Sequence, residues 1–213
     1  APIILALLIN EIKSKNFKRL TQSVFYLPHF LSWVIVAGIC FNLFSITNGL
    51  FPKLLSYFGW EMPALMTDTK TFRVFLYGTD IWKNAGWGTI IYMAAISGIN
   101  PELYEAAVMD GCSRFKQVLH ITLPSILPTI VTLLILNIGG IMNAGFDQIF
   151  NLYSNRVFSV ADIIDTYVYR IGLVNADYEY STVVGLSKSI INCILLFSAN
   201  YFAGRVLGGE SPL

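Results

Sequence analysis

The sequence predicts an all-α, polytopic membrane helical bundle, and three observations carry that expectation. Hydrophobic residues make up 55% of the 213 positions and charged residues only 13%, whereas a typical soluble domain carries about 25% charged residues. The mean hydropathy is +0.61. The apolar residues also gather into long blocks instead of alternating at short period, the pattern of buried or membrane helices and not of half-exposed strands. Too few charges remain to cover a water-facing surface. A net charge of +1 gives no basic excess of the kind that binds nucleic acid.

Each block is read against a hydrocarbon core of about 30 Å, which takes roughly 20 helical residues. Residues 1–12 are apolar but too short. They open on Ala1 and Pro2 inside an apolar run and read as the second half of a truncated span. Residues 24–44 are expected to form a full span, interrupted only by Pro28, His29 and Ser32 near its start. Residues 80–99 give a third span with a polar first turn, 126–146 a fourth and 181–203 a fifth. No internal repeat or low-complexity tract divides the chain, so 1–213 is read as one transmembrane domain. Cys40, Cys112 and Cys193 are scattered, with no CxxC pair, and read as buried small hydrophobes, not metal or redox groups.

Sidedness follows from the excess of Lys and Arg in short cytoplasmic loops. Lys13, Lys15, Lys18 and Arg19 cluster after the first block, Arg114 and Lys116 follow the third span, and Arg205 sits near the C-terminus. Alternating spans put these on one side. Residues 13–23, 100–125 and the C-terminus are therefore expected in the cytoplasm, with 47–79 and 147–180 outside. Lys53, Lys70, Arg73, Arg156 and Arg170 are spread thinly among acids in the outer loops.

The segment 100–124, NPELYEAAVMDGCSRFKQVLHITLP, has the grammar of a helix–turn–helix. Asn100 suits an N-cap, Pro101 the first helical position, and Glu102 and Glu105 the positive end of the helix dipole. Ala106 and Ala107 present a flat small-residue face. Gly111 permits the positive φ of a chain reversal. Ser113 is expected to cap a second amphipathic helix with Phe115, Val118, Leu119 and Thr122 along one side, and Pro124 and Pro128 mark entry into the next span.

Glu105-Ala106-Ala107, three residues, Gly111, nine residues, Ile121, one residue, Leu123-Pro124 matches the EAA motif at every defined position. On these residues the chain resembles the permease subunits of bacterial binding-protein-dependent ABC importers. The stretches DIWKNAGWGTIIYMAAISGINPELYEAA and VADIIDTYVYRIGL look like the Lpl- and Ytc-type oligosaccharide branch of the carbohydrate-importer permeases. The resemblance covers essentially the whole chain and implies the type I (MetI-like) permease fold with its first span missing. It also implies the roles. Glu105 would pair with a basic residue of a cytoplasmic ATPase dimer, Ala106 and Ala107 would allow close approach, Gly111 would set the turn, and Ile121, Leu123 and Pro124 complete the coupling motif. Partners implied are that ATPase, a second permease chain, an extracytoplasmic solute-binding protein and an oligosaccharide. Cys112 departs slightly from the smaller residue common at its position. The chain carries no GxxxxGK[ST] phosphate loop, so ATP and Mg are expected on the partner ATPase, with no cofactor, metal or catalytic residue here.

Polar groups inside spans are costly unless they face a bundle interior or a water-filled path. Three clusters qualify: Trp82, Lys83, Asn84 and Trp87; Asn137 and Asn143 around Gly139-Gly140; and Lys188, Ser189 and Asn192 on one face of the last span. Sugars suit such sites, since C–H faces stack on rings and hydroxyls need amide partners. Helix–helix packing accounts equally for the asparagines, an interfacial aromatic belt for the tryptophans, and snorkelling for Lys188. His29 and His120 lack neighbours at ligand spacing and read as packing residues.

In the outer loop, Val160, Ile163, Ile164, Tyr167, Val168 and Ile171 recur at helical spacing, so one helix is expected over 160–173. Asp162, Asp165 and Arg170 fall on its other faces and are candidates to dock the binding protein; capping of the bundle is the alternative. Two other readings compete: a permease for amino acids or peptides, and an ion-coupled secondary transporter. The second needs acids near the bilayer midplane, and Asp147, Asp162 and Asp165 fall in an outer loop.

Overall fold

The structure, a computed structural model, describes residues 1–206; the last seven positions of the expected cytoplasmic C-terminus, 207–213, lie outside the described residues. In chain order the helices are α1 (Pro2–Asn10), α2 (Lys15–Tyr26), α3 (Trp33–Phe44), α4 (Leu50–Tyr57), α5 (Phe72–Ser97), α6 (Pro101–Met109), α7 (Arg114–Ser125), α8 (Leu127–Gly139), α9 (Phe146–Leu152), α10 (Phe158–Ala161), α11 (Ile164–Tyr169) and α12 (Tyr178–Val206). A 3-10 turn occupies Leu27–Phe30, and wider π turns occupy Val118–Thr122 and Arg170–Val174. No β-strand occurs among the described residues.

The chain divides into two compact units. One comprises Ala1–Phe25, Ala85–Met142 and the described residues from Ser187; the other comprises Tyr26–Asn84 and Asn143–Leu186. Both basic segments, 13–23 and 100–125, belong to the first unit, and both longer loops, 47–79 and 147–180, to the second. The first unit's core joins Ala6 and Ile9 of α1 to Tyr92, Met93 and Ile96 of α5 and to Ile126. The second unit's core joins Val36, Ala37 and Cys40 of α3, Phe72, Phe75 and Leu76 of α5, and Ile149 and Leu152 of α9. In each helix these residues recur at three- and four-residue steps, which makes one buried stripe.

Outside those stripes the helices stay apolar. The apolar window of Tyr178–Arg205, 28 residues and long enough to cross a bilayer, is buried nowhere. Ile190, Ile194 and Phe197 stand exposed on it. Lipid tails cover such a surface at no cost, whereas water does not.

Several expected boundaries are corrected. Residues 24–44 are not one continuous helix: Leu31 and Ser32 are extended between the 3-10 turn and α3. Pro28 supplies no N–H, and the Ser32 hydroxyl accepts from the Ile35 N–H at 3.3 Å, so the helix restarts there. The block 126–146 stops at Gly139, after a 61° bend between Arg114–Ser125 and Leu127–Gly139. The adjacent glycines 139 and 140 favour that stop. Helix α5 begins at Phe72, well before residue 80. Its 26 residues span about 39 Å at 1.5 Å each, yet Arg73, Asp80 and Lys83 leave it too polar to qualify on composition. Cys40 is buried as expected, but Cys112 is only half-buried and Cys193 lies exposed on the open face of α12.

Candidate functional site

Residues 100–125 form a helical hairpin. Asn100 is extended, and its Oδ1 accepts from the Glu102 N–H at 3.1 Å, which starts α6 with Pro101 in the first turn. The helix ends in a Schellman motif: the Gly111 N–H donates to Val108 O at 3.0 Å and the Cys112 N–H to Ala107 O at 2.8 Å. Gly111 has φ +72°, and a Cβ there would meet no heavy atom within 4 Å. Glycine is required by backbone conformation, not by space. The Gln117 side chain donates to Cys112 O at 3.1 Å, and the Tyr104 and Thr122 hydroxyls bond at 2.8 Å, tying α6 to α7. An ion pair from Arg114 to Glu11, 3.2 Å, ties the hairpin to the end of α1.

Two expectations for this segment are corrected. Ser113 takes the N-cap backbone geometry, but its hydroxyl makes no capping bond. The stripe of Phe115, Val118, Leu119 and Thr122 does not share one side: Thr122 is buried and Val118 half-buried, while Phe115 and Leu119 are exposed. The π turn over 118–122 adds a residue to the local repeat and rotates the register. Glu105 and Ala106 are exposed, as are Met109, at 87%, and Phe115, at 76%. Ala107 is buried, Ile121 and Leu123 are half-buried, and Pro124 is exposed. A cavity of about 620 Å³ opens between Glu11, Tyr104, Glu105, Met109, Arg114 and Gln117.

The polar residues of the spans are largely engaged with the protein. In the second unit, Lys83 is buried, with Nζ 2.7 Å from His29 O, 3.5 Å from Pro28 O and 5.5 Å from the centre of the Trp33 ring. Its ammonium reaches carbonyls at the helix break, where Pro28 O also accepts from the Leu31 N–H at 3.2 Å. Asn84 donates to Asp80 at 2.7 Å and accepts from His29 Nδ1 at 3.1 Å. The amide orientation fixed by Asp80 makes the imidazole the donor. His29 thus braces the break, a role its sequence context gave no sign of. Asn143 lies in this unit as well, exposed.

In the first unit, Asn137 donates back to Leu133 O at 2.7 Å, and Asn192 accepts from the Met142 N–H at 3.4 Å. The Asn137 bond stays within its own helix, and the Asn192 bond links α12 to the turn after α8. Lys188 is half-buried and engaged, and Trp87 is exposed with a partner of its own.

Residues 1–208 match the family described as binding-protein-dependent transport system inner membrane component. The chain belongs to that family. It is 47% identical to Protein LplB of Bacillus subtilis over 205 residues, 96% of this chain and 64% of that protein. It is 45% identical to the polygalacturonan/rhamnogalacturonan transport system permease protein YteP of the same organism over 204 residues, again 96% and 64%. The chain thus spans about two thirds of the length of these relatives, at 64%. Among solved structures, a bacterial ABC transporter importing the acidic polysaccharide alginate matches with TM-score 0.92 at 40% identity, over 96% of this chain and 72% of that one. The alginate transporter in complex with its pentasaccharide-bound periplasmic protein matches with TM-score 0.94 at 39% identity, over 100% and 73%. The fold is that of ABC-transporter permeases, in keeping with a family described as an inner membrane component of a transport system.

The segment 160–173 differs from its expected single helix. Residues 160–173 are broken at Asp162 and Ile163, which are extended, into α10, α11 and a π turn. Asp162 causes the break. Its Oδ1 accepts from the Thr166 hydroxyl at 2.6 Å, and its two oxygens take a bidentate pair from Arg170 at 2.9 and 2.7 Å. Arg170 stands in turn 4.7 Å from the centre of the Phe158 ring. The guanidinium holds the Asp162 carboxyl below the usual carboxylate range, and the carboxylate raises Arg170 in return. Asp165 is half-buried and has a partner. Sequence reasoning made Asp162 and Arg170 docking candidates on a single helix and missed that they bind each other; their eight-residue separation carries no helical-pair signal.

Proposed function

We propose that this chain is the permease subunit of an ATP-driven importer that passes an oligosaccharide, delivered by an extracytoplasmic binding protein, across a bacterial cell membrane. The observation that carries the reading is the braced hairpin at 100–125, with an acid, a small residue and two large apolar side chains turned outward. Exposed Met109 and Phe115 on a water-facing loop call for a protein cover. A groove on an ATPase fits it, with Glu105 pairing a basic residue and Ala106 allowing close approach. ATP and Mg would reside on that ATPase dimer, and a second permease chain would complete the pathway. The alginate importer, similar to this chain along almost its full length, favours an acidic oligosaccharide.

In this reading 13–23 and 100–125 face the cytoplasm, and the segment 147–180 faces the binding protein. The Asp162–Arg170 pair shapes that outer surface, and Asp165 borders it. Trp87, Asn137, Lys188 and Asn192 in one unit, and Asn84 and Asn143 in the other, are the polar groups offered to the pathway. The test is Glu105→Lys in the assembled transporter. Uptake should fall at least about ten-fold, the scale of a lost charge-assisted contact, while membrane insertion is unchanged. Normal uptake by the variant would remove the coupling role from this loop.

A further inference from the structure

The second unit contains a cavity of about 450 Å³ with a mixed apolar and polar lining, within the roughly 300–1,000 Å³ range of small-molecule sites. Helix α5 contributes Arg73, Tyr77 and Asp80, the turn before α9 contributes Asn143, and the break between α10 and α11 closes the far wall. Arg73 donates Nε to Val160 O at 3.2 Å, which pins the guanidinium across the cavity wall. Its terminal nitrogens have no carboxylate among the described residues. The Tyr77 side chain, 67% exposed, and the Asn143 amide likewise have no hydrogen-bond partner among the described residues.

The other polar groups of the wall are engaged. Asp162 is bound by both arms of Arg170. Asp80 accepts from Asn84 at 2.7 Å. Gln148 donates to Leu76 O at 2.7 Å and to the Thr79 hydroxyl at 2.9 Å, which locks α9 to α5 beneath the cavity. The floor is therefore rigid. A cationic fork, an aromatic ring with a hydroxyl, and an amide remain open above it.

We propose that this cavity is a reception subsite for an acidic sugar residue, with Arg73 pairing its carboxylate. A guanidinium fork matches a planar carboxylate in two parallel bonds. The Tyr77 ring offers an apolar face to sugar C–H groups, and Asn143 offers a donor and an acceptor to ring hydroxyls. Asp80 has acceptor capacity left for a hydroxyl, and its negative charge disfavours a carboxylate placed on its side, so the sugar has one orientation. The inference rests on the importer reading above and adds to it the residue that reads charge.

The test uses the assembled transporter, this chain with its partner permease and ATPase, and two probes: trigalacturonate and its carboxyl-reduced trisaccharide. Calorimetric titration without binding protein should show the wild type preferring trigalacturonate at least about ten-fold, the scale of a bidentate charge-assisted contact. Arg73→Gln should abolish that preference, and Arg73→Lys should keep part of it. Asn143→Asp leaves the Arg73 anchor intact and should weaken trigalacturonate selectively, which keeps the test decisive if Arg73→Gln fails to fold. A wild type without preference, or variants that retain it, overturns the subsite. ATP-driven uptake with loaded binding protein separates the two levels. Uptake of trigalacturonate with preference unchanged by the variants defeats the subsite alone, and uptake of neither probe defeats the importer reading.

Discussion

Replacing Gly111 isolates the backbone geometry of the hairpin from its packing. A Cβ at this position meets nothing within 4 Å, so alanine introduces no clash. What it introduces is an L-residue at φ +72°, at a cost of about 1–2 kcal/mol. That shift lowers the ratio of closed to open turn by a factor of about 5–30. The two bonds at risk are those from the Gly111 and Cys112 N–H groups to Val108 O and Ala107 O. Amide exchange of a peptide covering 108–113, measured by mass spectrometry on the assembled transporter, should accelerate by that factor in Gly111→Ala. It should accelerate less in Gly111→Asn, since asparagine tolerates the left-handed region, and more in Gly111→Val, since a β-branched residue does not. ATP hydrolysed per substrate imported should rise in the same order. Faster exchange in Gly111→Asn than in Gly111→Ala would refute the reasoning, because a packing role ranks the variants by volume and a backbone role by φ tolerance.

Lys83→Met should destabilise the purified transporter by roughly 1.5–3 kcal/mol, the cost of a charged donor lost from buried carbonyls, and Lys83→Arg should restore part of it; unchanged thermal unfolding in the Met variant would mean that the helix break needs no cap. The Asp162–Arg170 pair makes a pH prediction. The folded carboxyl lies below its unfolded value, so its contribution is fully present above about pH 4 and is lost as pH falls through the lower, folded value. Protection of 160–170 against amide exchange should stay flat from pH 5 to 9 and collapse in acid, and Asp162→Asn should remove that acid limb. A slope centred near neutrality would implicate another group.

How much was legible in the sequence depended on whether the signal was local. The turn of the hairpin read well because the Asn100 cap and the turn glycine lie within 25 consecutive residues, 100–124, whereas the Ser113 cap did not form. Spans read poorly in number and boundary: of the four full spans expected, one described helix is long and apolar enough to cross a membrane, or three segments if each bent pair counts as one span. Hydropathy registers Leu31 and Ser32 as ordinary members of an apolar block, and only the Ser32 cap and the Pro28 carbonyl show that the helix restarts there. Groups that act across long separations were illegible. Lys83 reaches His29 O over 54 positions and Arg73 reaches Val160 O over 87, and composition alone made the first a pathway candidate and the second a stray loop charge. Phe115 and Leu119 were misplaced for another reason: a 3.6-residue repeat was assumed where the chain makes a π turn.

Reconstitution tests the central claim most directly. The chain would be placed in proteoliposomes with its partner permease and ATPase, and uptake of a labelled acidic oligosaccharide would be followed with its binding protein outside and ATP inside. The account predicts accumulation only when ATP, ATPase and loaded binding protein are all present, and no ATP hydrolysis by this chain alone. Uptake driven by a proton or sodium gradient without ATP, or accumulation with the ATPase omitted, would contradict it.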